Sequence, residues 1–209
     1  MRITVFGATG HIGGELVRQA ADAGHEVTAV VRSVLADPPG GVAVARVPDL
    51  TVVEALLPVV EGADAVVSGI GPRGPRQVTV ASSTGAAILR ALEKTGVRRF
   101  VAVTAAPVAP APPGDSLGNR IMYPVIGRLL RGIYGDLARL EDLMRASDTD
   151  WTVVRPPNLT NAPLTGRYRT AVDANVPRGR SIGRADVAHY MLAVLDDPAT
   201  VHHAMGVAA

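Results

Sequence analysis

A cluster of glycines near the amino terminus could bind a phosphate group. Gly7, Gly10, Gly13 and Gly14 lie in the segment FGATGHIGG, between a short apolar run and apolar residues at helical spacing. A glycine inside regular structure costs roughly 0.5–1 kcal/mol relative to alanine, so four in one turn need a compensating role. A strand that enters a helix through such a turn directs unpaired N–H groups and the positive end of the helix dipole at one point. The pattern therefore predicts a phosphate-binding turn of a dinucleotide-binding fold.

The end of the second predicted strand indicates which dinucleotide would bind. In this fold an acidic side chain about 20 residues past the glycines accepts a hydrogen bond from the ribose of NAD, whereas an arginine accommodates the 2′-phosphate of NADP. The segment VTAVVRS places Arg32 and Ser33 there, with no acidic residue between Glu26 and Asp37. We therefore expect NADP(H), with Arg32 beside the 2′-phosphate.

The elements that would position these groups alternate between strands and helices. The strand candidates are nearly continuous in apolar residues, as buried parallel strands are. This alternation predicts an α/β fold with a doubly wound parallel sheet, Rossmann-like, in a single domain over residues 1–209. The predicted strands after the first are 27–31, 42–47, 65–68, 99–103 and 151–155, and the predicted helices are about 12–23, 51–60, 77–95, 118–147 and 185–195.

The composition excludes several other classes of site. The chain has 209 residues, 47% of them hydrophobic, and no cysteine, so it has no disulfide framework, thiolate nucleophile or cysteine-based metal site. Its arginines are scattered, which does not indicate a nucleic-acid surface. His202 and His203 have no evident third ligand, so we expect no metal. No apolar run is long enough to span a membrane and no signal peptide is evident, so we expect a cytoplasmic protein with no membrane partner.

Several segments together resemble one family. GATGHIGG, VVRS, SGIG at 68–71, WTVVRPPNL at 151–159 and PLTGRYR at 163–169 resemble the atypical short-chain dehydrogenase/reductase group, and within it NAD(P)H-binding proteins of the biliverdin reductase B or flavin reductase type. The similarity covers nearly the whole chain, with a gap mainly near 106–130. It implies an oxidoreductase that transfers a hydride from NADPH to a small conjugated acceptor, such as a flavin, a quinone or a tetrapyrrole.

The resemblance also implies a site along one edge of the sheet. The pyrophosphate would lie against the glycine turn and the adenine beside Asp49 and Leu50, although Asp49 could instead cap a helix. The implied cofactor-binding residues are Gly7, Thr9, Gly10, His11, Ile12, Arg32, Ser33, Asp49, Leu50, Gly69, Ile70, Gly71, Thr104, Ala105, Pro157 and Asn158. The implied substrate-binding residues are Arg73, Tyr134, Asn158 and Tyr168.

The chain lacks the acid used by ketone-reducing members of the group. Those enzymes use a serine and a Tyr-x-x-x-Lys pair, in which the lysine lowers the tyrosine pKa. None of the four tyrosines here is followed by lysine at that spacing, and Ala105 stands where related reductases have a serine. Thr104 is therefore the candidate catalytic hydroxyl. A conjugated acceptor can do without an enzyme acid, because its reduced anion is a weak base that solvent can protonate.

Other interpretations stay open at this point. A non-catalytic NADP-binding regulator resembling the nitrogen-metabolite-repression proteins would also lack the Tyr/Lys pair, while a dehydratase or epimerase would need an acid/base pair that the sequence does not show. We expect a substrate-side or lid region around 105–135 and 156–182. The apolar segment 119–144 could form a lid, a homodimer surface through 119–135, or part of the core.

Overall fold

An eight-stranded sheet flanked by helices forms the centre of the protein. The computed structural model describes residues 1–72, 74, 78–112 and 114–209. The strands are β1 (Arg2–Phe6), β2 (Glu26–Val31), β3 (Ala43–Arg46), β4 (Ala65–Ser68), β5 (Arg99–Val103), β6 (Asp150–Arg155), β7 (Asn158–Thr160), β8 (Arg169–Val172), β9 (Ser181–Gly183) and β10 (His203–Ala208). The helices are α1 (His11–Asp22), α2 (Val53–Val60), α3 (Val80–Thr95), α4 (Leu117–Leu129), α5 (Arg131–Arg145) and α6 (Arg184–Ala193).

The strand order creates a crevice between β1 and β4. The order is β3-β2-β1-β4-β5-β6-β10-β8, in which only β8 is antiparallel to its neighbour, while β7 and β9 form a separate parallel pair. Ile3 of β1 lies opposite Val27 of β2 on one side and Ala65 of β4 on the other. The chain reverses its winding direction between β1 and β4, which is where ligands bind in open parallel sheets. The predicted doubly wound Rossmann-like fold is confirmed.

Both faces of the sheet are covered, which explains the continuous apolar strands. Ile3 and Val5 of β1 pack on one side with α1 and α6, whereas Phe6 packs on the other side with α2, α3 and α5. Successive side chains of a strand point to opposite faces, so a strand with two buried faces needs apolar residues at every position. Helices therefore cover both faces of the sheet, and the carboxyl ends of its strands are where a binding site can form.

The structure corrects one predicted helix. The predicted helix 118–147 is two helices, because Leu130 has φ −110° and ψ 34° and separates α4 from α5. Pro124 lies inside α4 and does not end it. The apolar residues after Pro124 continue the helical spacing across the break, so periodicity alone did not reveal it.

The last strands were not predicted from the sequence. β10 contains Gly206, and a Cβ atom at that position would lie 2.3 Å from the carbonyl oxygen of Ala174. The glycine permits this close approach of the loop after β8, but glycine is atypical of strand interiors. The short strands β7 and β9 were missed because three residues give too little alternation to detect.

Helix α4 exposes an apolar stripe. Leu117, Ile121, Val125 and Leu129 recur every four residues, and their exposed fractions are 73%, 65%, 53% and 79%. Core packing therefore does not explain these four side chains, and the lid and the homodimer surface stay predictions. No helix within the described ranges is long and apolar enough to cross a membrane.

Candidate functional site

A cavity of about 730 Å³ opens at the carboxyl ends of β1, β2 and β4. Its size is typical of pockets that hold small molecules and cofactors. The glycine turn, the ends of β2 and β4, and the first turns of α1 and α3 contribute to its walls. The lining residues are Gly7, Thr9, Gly10, His11, Ile12, Val30, Val31, Arg32, Pro48, Asp49, Leu50, Thr51, Gly69, Ile70, Gly71, Pro72, Val80, Ser83, Thr84, Leu159 and Arg184.

The glycines of the first turn do different things. Gly7 has a φ of +80°, a left-handed conformation that favours glycine. A Cβ on Gly13 would lie 2.0 Å from the Gly7 carbonyl oxygen, and one on Gly69 would lie 3.0 Å from the Gly13 nitrogen. A Cβ on Gly14 would make only an ordinary 3.6 Å contact with the Ala8 oxygen. Gly7, Gly13 and Gly69 thus let β1, α1 and the end of β4 approach at backbone distance.

The first turn of α1 is open towards a ligand. Gly10 occupies the N-cap position, where it supplies no side-chain hydrogen bond to the first turn. Its own N–H donates to the Gly7 carbonyl at 2.8 Å, which closes the turn. Gly10, His11 and Ile12 line the cavity, so the helix presents N–H groups and its positive dipole end there. This uncapped helix end fits the pyrophosphate of a dinucleotide.

The part of the cavity wall after β2 and before α2 carries one cation and one anion. Arg32 follows β2 directly, as the sequence predicted, and its exposed side chain lines the wall. Asp49 Oδ1 accepts hydrogen bonds from the Thr51 hydroxyl at 2.7 Å and the Thr51 N–H at 2.9 Å, and these bonds lower the pKa of Asp49. The N-cap residue of α2 is Val52, so Asp49 holds the turn before the helix and does not occupy the N-cap position itself.

The wall formed by α3 is held from another helix. Thr79, the N-cap residue of α3, makes no side-chain cap. Instead the Asp136 carboxylate of α5 accepts the N–H of Ala81 at 2.8 Å and that of Ser82 at 3.0 Å. Asp136 is 1% exposed, so this cap is fully buried. It orients the turn that brings Ser83 and Thr84 to the cavity, a contribution that the sequence analysis missed.

Thr104, which does not line the cavity, belongs to a buried polar network. Its hydroxyl donates to Glu141 Oε1 of α5 at 2.8 Å. The same carboxylate accepts Arg155 Nε at 2.9 Å and Arg155 Nη2, and Arg145 Nη2 donates to it at 2.7 Å. Thr104, Glu141 and Arg155 are all buried. We call these three residues, with the partly exposed Arg145, the Glu141 network.

The sequence profile of the NAD(P)H-binding family matches residues 7–198. The match runs from the glycine turn to five residues beyond the end of α6 and so includes every wall of the cavity. The chain belongs to the NAD(P)H-binding family. The predicted resemblance to NAD(P)H-binding proteins is therefore confirmed. The uncapped start of α1 at the glycine turn fits NAD(P)H, the ligand for which the family is named.

This NAD(P)H-binding protein matches nearly all of one relative and only part of another. The chain is 26% identical to YwnB of Bacillus subtilis over 203 residues, which cover 94% of this chain and 92% of YwnB. It is 32% identical to the photosystem II assembly factor Ycf39 of Synechocystis over 111 residues, which are 48% of this chain and 32% of that protein. The chain thus matches only about a third of the length of Ycf39.

Solved structures share the whole fold. A Streptococcus pneumoniae protein proposed to be an NADH-flavin reductase superposes with a TM-score of 0.82 at 24% identity, over 100% of this chain and 99% of that one. A wide-type short-chain dehydrogenase/reductase from Veillonella parvula in complex with NADP gives 0.83 at 19% identity, over 100% of this chain and 94% of that one. At these identities the likeness shows the fold alone.

Most of the implied cofactor residues of this NAD(P)H-binding protein line the cavity. The glycine turn, Asp49 and Leu50, and the segment Gly69–Gly71 all do so. Thr104 and Asn158 do not line the cavity: Thr104 is buried, and Leu159, the neighbour of Asn158, lines the wall. The implied cofactor residues outside the wall are Ser33, Thr104, Ala105, Pro157 and Asn158.

The implied substrate residues are spread over the molecule. Tyr134 of α5 is half-buried, and burial raises its pKa. The Tyr168 hydroxyl lies 2.6 Å from His189 Nδ1 of α6, and its ring packs edge-on against Tyr190, so this tyrosine is engaged away from the cavity. Arg73 lies outside the described residues.

The two adjacent histidines have separate surroundings. His202 packs against the Trp151 ring, and His203 Nδ1 lies 2.7 Å from Asp173 Oδ2. Within the part of the chain that the structure describes, no group of three His, Asp or Glu side chains could hold a metal ion.

Proposed function

We propose that this chain is an NADPH-dependent reductase of the flavin reductase type, which transfers a hydride to a small conjugated acceptor. The single observation that carries the proposal is the combination of the uncapped α1 turn with Arg32 in one cavity. The solved structures named for NADH-flavin reduction and for NADP binding add support through their common fold. A cytoplasmic location and the absence of a nucleic-acid partner remain our expectations.

Arg32 supports the choice of NADPH over NADH. None of the ion pairs among the described residues includes it, so its guanidinium is available for the 2′-phosphate. A charge-assisted contact of this kind contributes about 1.5–3 kcal/mol.

The chemistry assigns the protein a positioning role. When bound, the cofactor supplies the hydride. The Thr104 hydroxyl already donates its hydrogen to Glu141, so it offers lone pairs and no proton to a neighbouring ligand. Since burial raises the pKa of Tyr134, this phenol is also a poor proton donor near neutrality. We therefore assign the proton to solvent, which suits an acceptor that delocalises its negative charge.

The test compares binding and turnover in the parent and in two variants. Arg32→Ala should lose most of the preference for NADPH over NADH, whereas Arg90→Ala, an exposed arginine of α3 outside the cavity wall, should keep it. Calorimetry gives both dissociation constants, and NADPH oxidation is followed with FMN, riboflavin and a quinone. Equal affinities for NADPH and NADH in the parent would overturn the assignment of Arg32.

A non-catalytic NADP-binding regulator is the second candidate. The engagement of the Thr104 hydroxyl by Glu141 favours it, because this leaves the expected catalytic position without a free hydrogen. Tight NADPH binding with no oxidation in the presence of any flavin or quinone would replace the reductase proposal with this one.

A further inference from the structure

Arg184 places a second cation in the cavity, for which the proposed function gives no role. It is the first residue of α6 and lines the cavity with Leu159 of β7, which starts three residues after β6. Arg32 follows β2, and three strands, β1, β4 and β5, lie between β2 and β6. Arg32 and Arg184 are the two arginines among the described residues that line the cavity. The cavity therefore carries positive charge at two separate places.

The guanidinium of Arg184 is positioned by hydrogen bonds that involve only one of its three nitrogen atoms. Its Nη1 donates to Asn161 Oδ1 at 2.7 Å and to the Leu159 carbonyl at 3.3 Å. Both acceptors are neutral, and no ion pair between described residues includes Arg184. An arginine has five N–H donors. Both hydrogen bonds of Arg184 use Nη1, and Nε and Nη2 donate to no acceptor in the described part of the chain. These two atoms form the fork that binds an oxyanion with two parallel hydrogen bonds.

A half-buried arginine without a carboxylate partner is best satisfied by an anion. The planar fork matches the oxygens of a phosphate, and Asn161 and Leu159 fix its plane from the other side. We propose that Arg184 binds a phosphate group of the ligands through Nε and Nη2, at a second phosphate position distinct from that of Arg32. Two ligands carry such a group: the cofactor, through its nicotinamide-side phosphate, and an acceptor such as FMN, through its terminal phosphate. The inference deepens the proposed function and rests on it for the second source.

The experiment measures binding of three ligands to the full chain. The variants are Arg184→Met, which keeps an unbranched apolar stem, and Arg90→Met, which removes one exposed arginine outside the cavity wall. Calorimetry gives the dissociation constant of NADPH, and quenching of flavin fluorescence gives those of FMN and riboflavin, which differ by one phosphate. Arg184→Met should weaken one phosphate-bearing ligand by about tenfold or more. Arg90→Met should leave all three unchanged.

The outcomes separate the two sources. Weaker NADPH binding assigns the phosphate to the cofactor, while weaker FMN binding with unchanged NADPH and riboflavin assigns it to the acceptor. Unchanged binding of both NADPH and FMN, or equal losses for FMN and riboflavin with NADPH unaffected, would overturn the inference.

Two further results keep the test decisive. If Arg184→Met does not fold, the test uses Arg184→Lys, which keeps the charge but lacks the fork. This variant should weaken the binding of NADPH or FMN by less than the tenfold expected for Arg184→Met. Unchanged binding of every ligand would overturn the inference. Because these are binding measurements, failure of any flavin to be reduced rejects the proposed function alone. The role of Arg184 is then decided by its effect on NADPH binding.

Discussion

The glycine turn lines the cavity and the Glu141 network lies in the interior, and the two are built in opposite ways. The turn uses backbone atoms within one short stretch, and its precision comes from missing side chains at Gly7 and Gly13. The network uses charged side chains from β6 and α5 and the hydroxyl that follows β5, all meeting in the interior. Errors in the first region should therefore damage the ligand position, whereas errors in the second should damage the fold.

The largest expected effect is on stability, from the Glu141 network. Glu141→Ala leaves Arg155 buried without its partner, which should lower the free energy of unfolding by about 3–5 kcal/mol. Asp142→Ala is the matched control, because Asp142 is 75% exposed and pairs with Arg145 on the same helix, so its loss should be below about 1 kcal/mol. Urea unfolding measures both. Similar small losses for the two variants would show that the network does not hold the fold.

A smaller loss of stability, with a clear loss of binding, is expected at the turn. Gly13→Ala places a methyl group against the Gly7 carbonyl, so β1 and α1 must move apart at a cost of about 1–3 kcal/mol. The same shift displaces the N–H groups of the first turn and should weaken NADPH binding. Gly14→Ala has room for the methyl group and should be neutral or slightly stabilising. The comparison of the two regions breaks down if Gly13→Ala binds NADPH as tightly as Gly14→Ala.

The smallest effect is expected at Thr104, the hydroxyl member of the network. Thr104→Val removes one hydrogen bond to Glu141, worth about 1 kcal/mol of stability. Under the solvent-proton mechanism it should lower kcat for flavin reduction by far less than the 10²–10⁴-fold loss that is typical of a general acid. Thr152→Val is a matched control, since the buried Thr152 hydroxyl of β6 donates to the Thr200 carbonyl outside the cavity wall. NADPH oxidation is measured for both across neutral pH. A thousand-fold loss confined to folded Thr104→Val would identify the acid.

The errors of sequence interpretation follow the same division. The sequence predicted the glycine turn, strands β1 to β6 and the position of Arg32 after β2. Each of these depends on neighbouring residues or on a repeated apolar pattern. The single helix predicted over 118–147 was wrong because the break at Leu130 leaves the spacing of apolar residues intact. Strands β7 to β10 were missed because their short or glycine-containing segments have little alternation.

The sequence by itself determined the class of fold and the glycine turn, since the turn requires glycines at positions only a few residues apart and the sheet requires apolar strands. Only the tertiary structure decided which side chains meet. Glu141 reaches Thr104 across 37 residues, and Asp136 caps α3 from 55 residues away. Arg184 enters the cavity because α6 packs beside α1, at the opposite end of the chain. Such contacts depend on how helices pack on the sheet, and a linear pattern of residue types carries no record of that geometry.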